Sequence, residues 1–109
     1  MFNFSSSDSD LLKEVLAPLL EDFEYWFQRS RLLLEHETIP FLQGSEQTDL
    51  LERVVAAQQE VATAKLLFQA TNGQAGIEMA VLAPWHRLVT ECWQVSRRFR
   101  LGEISQQET

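Results

Sequence analysis

Apolar residues recur every three or four positions along most of this chain, and no stretch alternates them with period two. From Leu11 to about Glu37 the stripe runs Leu12, Leu16, Leu19, Phe23, Trp26 or Phe27, Ser30 and Leu34. Ser9 or Asp10 stands ready to cap that helix. "HETIPFLQGSEQTD" interrupts it, because Pro40 disfavours helix at the residue before it and Gly44 tolerates a turn. A second helix is expected from Thr48 or Asp49, with Asp49 and Glu52 at capping-box spacing. Its stripe is Leu50, Val54, Ala57, Val61, Ala64 and Phe68, flanked by Leu51, Val55, Ala62 and Leu66. So broad an apolar face suits a helix with two neighbours. Asn72-Gly73 stops it. The third helix is expected from Ile77 to Leu101, on the stripe Val81, Trp85, Leu88, Cys92, Val95 and Phe99, with Gly102 closing it.

Three helices, over about residues 10–37, 48–71 and 77–101, predict one all-α domain across 1–109. The connections make consecutive helices antiparallel, giving an up-down-up three-helix bundle. The tetrapeptide "VLAP" occurs twice, at Val15–Pro18 and Val81–Pro84, and Gln-x-Ser-Arg follows each at the same distance. A proline inside a helix removes one hydrogen bond and crowds the carbonyl four residues earlier, here Glu14 and Ala80. Neither proline has a capping residue before it, so kinks or short breaks within helices one and three are expected. In parallel helices the two bends would lie at similar heights.

The apolar fraction is 45% and the charged fraction 23%, which is globular rather than disordered composition. One cysteine excludes an internal disulfide. "MFNFSSSDSD" has no signal-peptide pattern, and no apolar run is long enough to span a bilayer, so a soluble cytoplasmic protein without membrane insertion is expected. The net charge of −7 disfavours nucleic acid as a partner. Charge is uneven: residues 1–80 carry 5 Lys/Arg against 13 Asp/Glu, while residues 81–109 carry 4 against 3. Arg97, Arg98 and Arg100 either complement the last turn of a helix or form a docking patch for an acidic partner.

Little chemistry is visible. Glu35-His36-Glu37 spreads its ligands around a helix, and the chain has no His-x-x-x-His and no Glu-x-x-His. Glu21, Asp22 and Glu24 read as a solvated face, and Cys92 as a small core residue. "NGQAG" lacks the lysine of a phosphate loop. A non-enzymatic protein with no cofactor is expected. The aromatic set says more. "FEYWF" distributes Phe23, Tyr25, Trp26 and Phe27 over more than half a helix circumference, more than three helices can cover. Surplus apolar surface on helices one and three, including Trp85 and Trp93, predicts a protein partner or a homodimer that completes a larger bundle. The predicted interface is Phe23, Trp26, Phe27, Trp85 and Trp93 with Arg97, Arg98 and Arg100. The alternative is a bundle binding an apolar or tetrapyrrole ligand, with His86 as the ligating side chain.

The stretch "LLKEVLAPLLEDFEYWFQRSRLLLE", residues 11–35, resembles the signature of a small cyanobacterial family of helical proteins, domain of unknown function family 2605. The resemblance covers most of the chain. It implies a cytoplasmic helical protein of a photosynthetic bacterium, with a role in photosynthetic assembly or regulation suggested by lineage alone. It carries over no activity and no catalytic residue.

Overall fold

The computed structural model describes residues 6–73 and 79–108. Three helices follow one another, α1 (Ser6–His36), α2 (Gly44–Ala70) and α3 (Met79–Glu108). The expected start of helix three at Ile77 lies outside the described residues.

Cross-contacts fix the directions. Lys65 reaches Glu24 and Gln58 reaches Gln28, so α2 runs antiparallel to α1. Arg53 reaches Glu91 and Trp85 reaches Glu60, so α3 runs antiparallel to α2. Phe23 meets Trp85 and Trp26 meets Trp93, so α1 and α3 are parallel. The bundle is up-down-up, as the sequence predicts.

It is also long, with extents of 61 × 25 × 20 Å. A 31-residue helix such as α1 spans only about 46 Å. The helices are therefore staggered along the long axis.

α1 packs most closely on α2 and less closely on α3. Side-chain size explains the difference. The buried stripe of α2 includes the small Ala57, whereas Trp26, Trp85 and Trp93 stand between α1 and α3. The helix with two packed neighbours is α1, not α2 as the sequence suggests. The main stripe of α2 is buried at Leu50, Val54, Ala57, Val61 and Phe68. Its flank is not, since Leu51 and Val55 are half-buried and Ala62 and Leu66 exposed. The polar contacts between α2 and α3 are Arg53 to Glu91 and Trp85 to Glu60. The innermost core residues are Leu20, Phe27, Ile39, Val54 and Val61.

Three helix ends differ from the sequence reading. α1 begins at Ser6, ahead of the expected caps. α2 begins at Gly44 rather than Thr48, because Gln43 N–H donates to the Glu46 carboxylate at 3.0 Å and opens the helix a turn earlier. Asp49 is then free to pair with Arg53 at 2.9 Å. α3 continues through Gly102 to Glu108. A single interior glycine costs only about 1 kcal/mol, and the residues after it are compatible with helix.

The stop at Asn72-Gly73 is as expected, with φ of 52° and 77°. Gly73 N–H reaches Phe68 C=O and Asn72 N–H reaches Gln69 C=O, which is the Schellman pattern. The 37–43 connection is tied by Gln47. Its carbonyl accepts from Ile39 N–H at 3.0 Å, and its amide donates to Leu34 C=O at 2.9 Å and Glu37 C=O at 2.7 Å.

Both helices are continuous through their prolines, so neither VLAP starts or stops a helix. Pro18 and Pro84 are exposed, as are Glu14 and Ala80. The carbonyls that lose an amide partner therefore belong to exposed residues, on the side of each helix where the loss costs least. The offset between contacting α1 and α3 residues is 62 at Phe23–Trp85 and 67 at Trp26–Trp93. The offset between the prolines falls within that range, so they stand at similar heights.

Candidate interaction surface

Helical spacing sorts the "FEYWF" aromatics onto different faces. Phe23 and Phe27, four apart, stack at 6.0 Å in the core, and Trp85 packs edge-on against Phe23 at 5.6 Å. These three of the expected interface residues are 5%, 0% and 3% exposed. They hold the bundle together and are not available to a partner. They are buried because α1 lies between α2 and α3 and so hides two faces, more than the sequence reading allowed.

The next positions around α1 remain outside. Tyr25 is exposed and Trp26 half-buried, with ring centroids 5.1 Å apart in an edge arrangement. Trp26 continues edge-to-face onto the exposed Trp93 of α3 at 5.3 Å. Arg29, one turn on, donates to the Tyr25 hydroxyl at 2.8 Å and lies over both the Tyr25 and Trp26 rings. The result is a ladder of three aromatic rings clamped by one guanidinium, crossing from α1 to α3.

Beside the ladder, α1 and α3 enclose a half-open groove of about 530 Å³. Trp26, Leu33, Trp93 and Phe99 supply its apolar surface, and Arg29, Arg100, Ser30, Ser96 and Glu37 its polar groups. Of the three predicted arginines, only Arg100 lines the groove. Arg98 sits over the Phe41 ring at 4.2 Å, pinning the 37–43 connection to α3. Arg97 is exposed. Arg29, Leu33 and Ser96 also line the groove, although none of them is among the expected interface residues. Their signal is the step from Trp26 to Arg29 and Leu33, and from Trp93 to Ser96 and Arg100.

His86 is exposed and does not line the α1–α3 groove. Its neighbour Trp85 takes the inward direction, so His86 is turned outward. No group of three or more His, Cys, Asp or Glu side chains among the described residues is placed to hold a metal. Cys92 is buried, with the Ser30 hydroxyl as hydrogen-bond partner. Burial pushes its thiol above the ordinary value, and the Ser30 bond only partly opposes this. In the acidic run, Glu24 accepts from Lys65 at 2.6 Å, while Glu21 and Asp22 are exposed. Glu35 pairs loosely with Arg31 at 3.4 Å.

Fold and surface together define a small all-α protein, a three-helix bundle with an aromatic and cationic groove on one side. The chain belongs to the family described as "Protein of unknown function (DUF2605)", which it matches over residues 6–101. No match to the chain was found among curated proteins or solved structures. No helix among the described residues is long and apolar enough to cross a membrane.

Proposed function

We propose that the protein is a non-enzymatic helical protein–protein interaction module that acts as a cytoplasmic homodimer. The observation that supports this reading is large apolar side chains gathered outside the core. Leu11, Val15, Tyr25, Leu32 and Trp93 are between 44% and 59% exposed, four of them on α1. Surface of this kind is usually hidden by association. Sedimentation velocity or light scattering between low and high micromolar concentration tests it. The expected result is a concentration-dependent dimer. A strict monomer at high micromolar concentration would overturn it.

A second reading has one observation in its favour. The α1–α3 groove is within the usual range of small-molecule sites, roughly 300–1,000 Å³, and Arg29 and Arg100 at its edge suit an apolar ligand carrying an acid group. This reading does not run through His86. Titration with a tetrapyrrole and with a fatty acid, followed by tryptophan fluorescence, separates the two. Saturable quenching that Trp93→Ala abolishes supports the ligand. No quenching removes it.

A further inference from the structure

The side of α1 turned away from the core carries a seam of its own. Val15, Pro18, Asp22, Tyr25, Arg29 and Leu32 follow alternating steps of three and four residues, and all six are exposed. Leu11 extends the same line by one step. This is the spacing with which one helix meets another along a coiled-coil contact. Neither α2 nor α3 covers it, although Leu11, Val15, Tyr25 and Leu32 are among the most exposed large apolar residues of the chain.

We infer that this seam pairs with the same seam of a second copy, antiparallel, about a two-fold axis between Asp22 and Tyr25. The inference rests on the homodimer reading above and says which surface makes the dimer. Charge selects the direction. A parallel pair would set Asp22 against Asp22 and Arg29 against Arg29, like on like. In the antiparallel pair Val15 lies opposite Leu32, Pro18 opposite Arg29 and Asp22 opposite Tyr25. Each Asp22 is then one helical turn from Arg29 of the second copy, within reach of a long guanidinium side chain. The Tyr25 hydroxyl, already held by Arg29 at 2.8 Å, faces the carboxylate of the other copy. Two-fold symmetry makes every contact occur twice. The acidic Glu14 and Asp22 lie toward one end of this exposed side, and the basic Arg29 toward the other. An antiparallel partner brings these opposite charges together.

Sedimentation velocity on the full chain reads the effect of charge. Asp22→Arg and Arg29→Asp should each raise the dimer dissociation constant at least about tenfold, and their combination should restore it to within about threefold. Both positions are exposed, and circular dichroism checks that the helices persist. Cysteine pairing reads the direction. A mixture of Val15→Cys and Leu32→Cys chains should form the mixed disulfide, whereas neither variant should cross-link to itself. Wild-type affinity in both charge variants, or self-cross-linking of Val15→Cys, overturns the seam while leaving the homodimer standing. A wild-type chain that stays monomeric overturns both.

Discussion

Arg53 of α2 grips Glu91 of α3 with both ends of its guanidinium, Nη1 to Oε2 and Nη2 to Oε1, each at 2.8 Å. Its Nε holds Asp49 at 2.9 Å, so one side chain fixes the distance between two helices whose backbones approach little. The bond to Arg53 holds the Glu91 carboxyl below its ordinary value of 4.5, against the opposing effect of burial. A lowered carboxylate contributes stability above its ordinary value and loses it as pH falls through the folded one. Both side chains are nearly half exposed, so Glu91→Gln should cost no more than about 1 kcal/mol at neutral pH. Thermal melts across the acid range should show a shallower loss of stability in Glu91→Gln than in wild type. Parallel acid limbs would refute the linkage.

Phe27 and Trp93 should respond differently to truncation. Phe27 is fully buried, and Phe27→Ala should cost about 3–5 kcal/mol. Trp93 is 45% exposed and holds mainly its edge contact with Trp26; Trp93→Ala should cost about 1 kcal/mol and remove the near-ultraviolet dichroism of the ladder. Urea titration monitored by circular dichroism checks the order of the two.

The helices and the α2 stripe are legible in the sequence because a repeat of three and four residues has one structural meaning. The parallel register of α1 and α3 is foreshadowed by the two VLAP segments. What the sequence hides is set by single polar side chains reaching across chain distance. Gln47 looks like any surface glutamine, yet it closes the 37–43 connection from α2. The Gln43–Glu46 cap displaces the start that Asp49 and Glu52 suggest. The assignment of Phe23, Phe27 and Trp85 to an outer interface fails for a similar reason. Periodicity says which residues share a face, but not that α1 is the helix lying between the other two.

Two glycines should respond with opposite signs. Gly73 has φ of 77°, and a Cβ there would run into the Lys13 side chain; Gly73→Ala should destabilise by about 1–2 kcal/mol through the left-handed backbone. Gly102 lies within α3 and a Cβ there meets nothing within 4 Å; Gly102→Ala should stabilise by up to about 1 kcal/mol. Melting temperatures of the two variants, measured side by side, decide.

Cys92 should resist alkylation while the chain is folded. Its thiol is buried and raised above the ordinary value of 9.0, which leaves little thiolate at neutral pH. Iodoacetamide labelling followed by mass spectrometry should show modification only as urea unfolds the protein. Rapid labelling in buffer would contradict the burial.

The placement of α1 between its two neighbours also orders events during synthesis. α1 and α2 are made first, and their hairpin already holds Leu20, Phe27, Val54 and Val61, whereas the aromatic side of α1 waits for Trp85 and Trp93. A nascent chain shorter than α3 therefore presents Phe23 and Trp26 to the surrounding medium, the interval in which a chaperone would have most to hold. Released chains truncated near residue 73 should show helical protection of α1 and α2 in hydrogen exchange and bind a hydrophobic dye, and dye binding should be lower in the full chain.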